Sequence, residues 1–430
     1  MSLRPILPTV LLTALMLPAT LVAQSDPVAE SRAHYHAAVE AYEARDLPLF
    51  LDHARQAQAL RPTHGGVTWA LASALALNGD REGALRTLHH FAALGYSADL
   101  AADSDFTSLR DTEAYSELVR RLKRNREPLV ASRPAFELPE RDLLAEGIAY
   151  DAGGDVFYVG SVRKGRIFRV SRGGEVSEAA TLEGMGLAPL GLRVDDRRRV
   201  LWVAAAALPQ STGYQPSDSG RSAILRFDLR TRRFQGRYEP PPDGRPHLIG
   251  DLVVSRAGAL YATDSRAPIV YRLAPGAGRL EPFVESPLLL SAQGLALAPD
   301  ERTLYVADYA RGLLRVDLRA RDVSMMETTD GVLALGIDGL YFHRGGLVGI
   351  QNGVVPHRVA RFTFDTTGRR LVRAEVLERA HPSYQEPTLG VLVDDELFYV
   401  ANSQWERFGQ DGGITDAGAL ERPVVLRLPL

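Results

Sequence analysis

The chain has 430 residues, 45% of them hydrophobic, with 50 Lys plus Arg against 53 Asp plus Glu and no cysteine. Such a length exceeds what one core usually serves, so two domains are expected. A formal net charge of −3 gives no electrostatic reason for nucleic-acid binding, and the absence of cysteine excludes disulfides and a lipid-modified N-terminal cysteine.

Residues 1–23 carry an early positive charge at Arg4, an apolar run from Ile6 to Leu21 interrupted by Pro8 and Pro18, and small residues at Val22-Ala23 before polar Gln24. That is the layout of a secretory signal peptide. It predicts a periplasmic or secreted protein of bacterial type with no membrane span after cleavage. An uncleaved anchor is the alternative, since the run is nearly long enough to span a bilayer. Residues 28–125 read as helical. Ala38, Phe50, Ala54 and Ala57 recur 34 residues later as Ala72, Ala84, Leu88 and Phe91, and a period of 34 is the tetratricopeptide helix-turn-helix pattern. The run Leu75 to Ala84 resembles the same repeat. A further helix is expected after Asp111 as N-cap, with Tyr115, Leu118 and Leu122 on one face. Such a module takes a peptide or partner protein in its concave face, or else packs against the rest of the chain or mediates dimerisation. His34, His36, His53, His89 and His90 have no carboxylate at coordinating spacing and read as surface or packing histidines. Residues 126–134 form a charged, proline-bearing linker.

From 135 to 430 one pattern is written six times. Its register positions are Gly147, Gly191, Asp251, Gly294, Gly339 and Gly390, at steps of 44, 60, 43, 45 and 51 residues. Each is followed by a short β-branched or aromatic run such as Phe157-Tyr158-Val159 or Leu304-Tyr305-Val306. A third run then carries one arginine among apolar neighbours: Arg169, Arg226, Arg272, Arg315, Arg361 or Arg427. Sheet units of this size cannot bury both faces alone, and radial stacking that closes on itself is a β-propeller. The fold class is therefore multidomain: an α-helical, tetratricopeptide-like module followed by an all-β six-bladed propeller. The last unit supplies three strands, so Ala135 to Leu138 is expected to complete it and close the ring.

In a blade the residue before each register position stands at the rim of the central channel. Those residues are Glu146, Leu190, Gly250, Gln293, Asp338 and Leu389, with Asp251 at a register position itself. The second strands end on the same face, near Asp264, Asp308, Asn352 and Asn402, where the long loops 207–221 and 404–422 also emerge. Carboxylates converging in a channel repel unless protons or a cation neutralise them. Oxygen ligands without cysteine suit Ca²⁺ or a similar hard cation. Asp264 and Asp308 have a plainer reading as loop caps. Asn402 to Trp405 places an aromatic beside amides, fit to stack on a polar ring or to fill the root of its loop.

Three segments, Glu146-Gly147-Ile148-Ala149, Gln293-Gly294-Leu295-Ala296 with Leu304-Tyr305-Val306-Ala307-Asp308, and Ile337-Asp338-Gly339-Leu340, resemble the blade motifs of the gluconolactonase and senescence-marker-protein family. Members are six-bladed propellers, and the resemblance covers about residues 135–430. It implies a divalent cation, often Ca²⁺, held by a Glu, two Asn and an Asp, which polarises a lactone or ester carbonyl while an acidic residue activates water. Matched by position, Glu146 and Asp338 stand for the Glu and the Asp, Gly250-Asp251 replaces an Asn-Asp pair, and Gln293 replaces the other Asn. The metal set implied is Glu146, Asp251, Gln293 and Asp338, with Asp338 also the catalytic candidate. Two functions stay open. One is a recognition platform that binds a small ligand through Asp264, Asp308, Asn352, Asn402 and Trp405 while the helices hold a protein partner. The other is a Ca²⁺-dependent lactonase or esterase.

Overall fold

The computed structural model describes residues 26–430, so the signal-like segment 1–23 lies outside the described residues. Five α-helices come first: α1 (Pro27–Glu43), α2 (Leu47–Leu60), α3 (Gly65–Leu77), α4 (Arg81–Ala93) and α5 (Glu113–Arg126). Each starts where a side chain can take an orphan N–H of the first turn: Asp26, Asp46, His64, Asp80 and Thr112. The cap of α5 is thus Thr112, one residue beyond the expected Asp111, which pairs with Arg81 instead. All eight positions of the 34-residue repeat are buried. Most of them share one core with Trp69, Tyr115, Leu118 and Leu122.

Strands fill the rest of the chain in six antiparallel sheets of four strands, the fifth blade gaining a short extra strand, Glu327–Thr328. Strand Arg133–Glu137 pairs with the C-terminal strand Val424–Pro429, so the sixth blade is built from both ends of the domain and the ring closes without a covalent bond. The third-strand arginines sit opposite the second-strand aromatics: Tyr158 faces Arg169, Trp202 faces Arg226, Tyr261 faces Arg272, Tyr305 faces Arg315 and Phe398 faces Arg427. In the second blade the Arg226 guanidinium lies 5.6 Å from the centre of the Trp202 ring, a cation–π contact.

A local irregularity sets the chemistry of the channel. In five of the six blades the ladder between the inner and second strands slips by one residue just at the register position, between Ala145 and Ile148, Pro189 and Leu192, Ile249 and Asp251, Ala292 and Leu295, and Ile337 and Leu340. A β-bulge of this kind leaves one residue out of the pairing and re-aims its side chain. The glycine beside it lets the next blade approach: a Cβ on Gly147 would lie 2.0 Å from the Leu190 carbonyl oxygen, and one on Gly294 2.3 Å from that of Asp338. At Asp251 the relation is inverted, because the neighbouring Gly191 leaves the room that the aspartate carboxylate fills, 2.6 Å from where a Cβ would stand.

The helical module docks on the connections between the second and third strands of blades four and five, on the face where the inner strands begin. Arg61 donates to the Ala310 carbonyl (2.9 Å), Ser97 N–H to Val355 (3.0 Å) and Arg358 to the Leu94 carbonyl (3.3 Å), while Arg311 pairs with Asp26 at 2.6 Å. The linker is pinned by buried Glu378, which accepts from the Ala131 and Ser132 N–H groups and from Tyr384 and Tyr399. Burial pushes its carboxyl up, but these donors outweigh burial and hold it below the usual range.

Candidate active site at the channel mouth

All six rim residues meet in one cavity of about 410 Å³, together with Asp251, Asn352 and Trp405. For five of the six the bulges explain why. A regular strand would alternate these side chains between the two faces of a blade, whereas the slipped residue turns toward the axis. Glu146 and Asp338 therefore share one opening although 192 residues separate them (338 − 146).

Each carboxylate has a different setting. Glu146 accepts from the Trp405 indole N–H at 2.7 Å. Burial and then the charge of Asp338 push its pKa well above the usual carboxylate range, and the indole offsets this only in part. Asp338 accepts from the Asn352 amide at 2.9 Å, and the Asn352 oxygen in turn accepts from Tyr309 at 3.0 Å. Burial raises Asp338 as well. Asp251 leans against the inner strand of blade two and accepts from Leu252 N–H at 2.8 Å. Burial brings it to about 6 against the pull of Arg193.

The fourth carboxylate, Glu386, lies in the segment before the sixth inner strand and falls outside the repeat's register. Its Oε2 is buried without a hydrogen-bond partner. Burial, then the charges of Asp338 and Glu406, bring it to about 7. The backbone there is left-handed, with φ of +65° at Glu386 and +66° at Gln404, and the Glu386 carbonyl is held by both Ser403 groups. Left-handed non-glycine residues cost of order 1–3 kcal/mol and gather at functional sites. Tyr309 and Glu386 are the two lining residues of consequence that periodicity did not indicate. A half-buried glutamate with a positive φ arises from the folded backbone and leaves no mark in the sequence.

Three expected ligand-binding residues take another role. Asp264 accepts from the N–H groups of Leu248, Arg266 and Ala267 and from His247. Asp308 accepts from Leu290, Ser291, Ala310 and Arg311. Asn402 ties Arg422 to Val424. At the end of a second strand a short polar side chain finds the unpaired N–H groups of the adjoining loop first, and none of the three lines the cavity. His343 ends an inner strand and meets Asp395.

Whether the donors suit a hard cation turns on residue 250. Gly250 offers no side chain where an asparagine is implied, and a Cβ there would meet Ser265 Oγ at 3.6 Å and Gln293 Oε1 at 3.8 Å. The longer Gln293 thus brings an amide oxygen beside the space that residue 250 leaves. Among the described residues no three His, Cys, Asp or Glu side chains are grouped as a metal ion requires, so the carboxylates of Glu146 and Asp338 need amide oxygens beside them. Gln293 and Asn352, both in the cavity lining, carry such oxygens, and all-oxygen donors of this chemistry are those a hard cation such as Ca²⁺ would take.

Fold and cavity together define a six-bladed propeller with an acidic channel mouth. Residues 144–329 match the family model described as the SMP-30/Gluconolactonase/LRE-like region, so this stretch is gluconolactonase-like. A gluconolactonase of Zymomonas mobilis is 30% identical over 153 residues, 32% of this chain; the chain spans 42% of that relative's length. Among solved structures, a gluconolactonase of Xanthomonas campestris covers 66% of this chain and 85% of its own at 19% identity, with a TM-score of 0.45. The PQQ-bound aldose sugar dehydrogenase of Streptomyces coelicolor covers 70% and 98% at 14% identity, with a TM-score of 0.47.

Proposed function

We propose that the protein hydrolyses a lactone or ester at the channel mouth, with a divalent cation as its cofactor. The observation that carries this reading is the convergence of Glu146, Asp251, Asp338 and Glu386 in one buried cavity whose lining contains a single cationic side chain, the exposed Arg266. Like charges so enclosed call for a counter-ion or for protons. The named relative is a gluconolactonase, which supports a lactone as the substrate class.

Glu146, Asp338, Gln293 and Asn352 would hold the cation, which when bound supplies Lewis acidity to a carbonyl oxygen. The chain's own groups divide the remaining work. Trp405 fixes the orientation of Glu146, and the Tyr309–Asn352 pair fixes that of Asp338. Glu386 has a free oxygen and a pKa of about 7, close to operating pH, which suits it to take the proton of the attacking water. That role moves from Asp338, whose Oδ2 is engaged by Asn352. Hydrolysis adds water across the acyl C–O bond, and the ring oxygen leaves as the alcohol of a hydroxy acid. The signal-like residues 1–23 support export, which N-terminal sequencing of the mature protein checks.

The test is turnover on a panel of aldonolactones, γ-lactones and aryl esters, before and after stripping with EDTA. The expected result is hydrolysis of at least one class, lost on stripping and restored by Ca²⁺. Metal-independent binding without turnover on any substrate would replace this reading with that of a recognition platform.

A further inference from the structure

A second, larger concavity lies between the helices and the propeller. It has a volume of about 820 Å³ and is lined from α1 and from α3 with the segment preceding it, and on the far side by the loops at Tyr309 and Gly353. No carboxylate contributes to its lining, whereas Arg32, Arg61, His36 and His64 do. Among the described residues neither Arg32 nor Arg61 makes an ion pair; Arg61 is held only by the Ala310 carbonyl. Asp26, just before α1, is taken by Arg311. The apolar part of the wall combines the rings of Tyr35, Trp69, Phe91 and Tyr96 with aliphatic Val67, Leu335 and Val354. Trp69 and Tyr96 are fixed by hydrogen bonds to Asp103 and to the Thr63 carbonyl.

We propose that this cleft is a binding site for a small organic acid, with the carboxylate held by Arg32 and Arg61 and an apolar or aromatic body resting on Tyr35, Trp69 and Tyr96. Two guanidinium groups without carboxylate partners offer fork geometry to a carboxylate. Aromatic walls provide most of the contact area that small-molecule sites use. The positive potential has an internal witness: burial first, then the charges of Arg61 and Arg32, lower the pKa of His64 to about 4. His64 is therefore neutral at pH 7, so the charge of the site is that of the arginines. An occupant must be anionic at the helical end, because Tyr309 forms a wall of both concavities and the space beyond it belongs to the carboxylates.

The experiment is calorimetry on the full chain at low salt with phenylacetate and octanoate, and with phenylacetamide and octanamide as uncharged controls. The acids are expected to bind at least about tenfold more tightly than their amides. Arg32→Gln should weaken the acids about fivefold or more and leave the amides unchanged. Because Arg61 also anchors the helices to Ala310, Arg32 is the informative position; the double variant Arg32→Gln/Arg61→Gln should abolish the preference for acid. Glu146→Gln should leave acid affinity unchanged, which separates this cleft from the channel mouth. Equal affinity for acid and amide, no binding of either acid, acid affinity indifferent to Arg32→Gln, or acid affinity lost in Glu146→Gln would each overturn the proposal.

Discussion

The two concavities share Tyr309 as a wall and are otherwise opposites. One is small, about 410 Å³, and gathers four carboxylates; the other is about 820 Å³ and gathers two arginines with no acid. They also arise differently. The acidic cavity comes from a repeated accident of one strand, the bulge at five of the six register positions, so most of its residues recur at the repeat's own spacing. The basic cleft exists only because a helical module has docked on two propeller loops, and neither half contains it alone. A site built by repetition is written into the sequence, whereas a site built by docking is written into the contact between domains.

The largest effect that would break this contrast concerns catalysis. Glu386→Gln should lower lactone turnover by at least about 10²-fold while Ca²⁺ still binds, and Glu146→Gln should lose both, as initial rates and titration heats will show. If Glu386→Gln retained full turnover, the proton would have to go elsewhere.

The register glycines offer the next test. Gly147→Ala sets a Cβ 2.0 Å from a backbone oxygen and should destabilise by about 3 kcal/mol, whereas Gly250→Ala meets nothing closer than 3.6 Å and should stay within about 0.5 kcal/mol of the parent in urea unfolding. Equal costs would remove the close approach of blades as the reason for these glycines. Gln293→Leu should weaken Ca²⁺ roughly tenfold if its amide stands in for the side chain that Gly250 lacks.

The smallest effect concerns pH. A carboxyl whose folded pKa is raised binds its proton more tightly in the native state, so it costs stability above that pKa and the cost disappears as pH falls toward the unfolded value. For Glu386, raised from 4.5 to about 7, the metal-stripped protein should gain a few degrees in Tm between pH 8 and pH 5.5. His64, lowered from 6.5 to about 4, acts in the opposite direction as pH falls below 6.5. The readout is therefore the difference between the parent and Glu386→Gln, which should shrink toward low pH.

Much of the fold could be read from the chain. The register placed all six rim residues, the strand expected at 135–138 closes the ring as Arg133–Glu137, and the period of 34 marked the buried positions of the helices. The site was legible wherever it obeyed the period: Glu146, Gln293 and Asp338 precede their glycines in the same way. Glu386 escaped because it lies in the irregular segment before the one inner strand without a bulge. Asp264, Asp308 and Asn402 also obeyed the period, but at strand ends the backbone of the next loop claims a short polar side chain before any ligand can. Periodicity finds positions; which way a side chain faces there is decided by the nearest unpaired N–H.

One titration bears most directly on the acidic cavity: Ca²⁺ into the metal-stripped full chain, beside Glu146→Gln/Asp338→Asn. The account predicts one site per chain in the parent, no heat in the double variant, and a double variant more stable than the parent in chelator because the enclosed like charges are gone. Heat that survives in the double variant, or a parent that takes up no Ca²⁺ or other divalent cation, would contradict it.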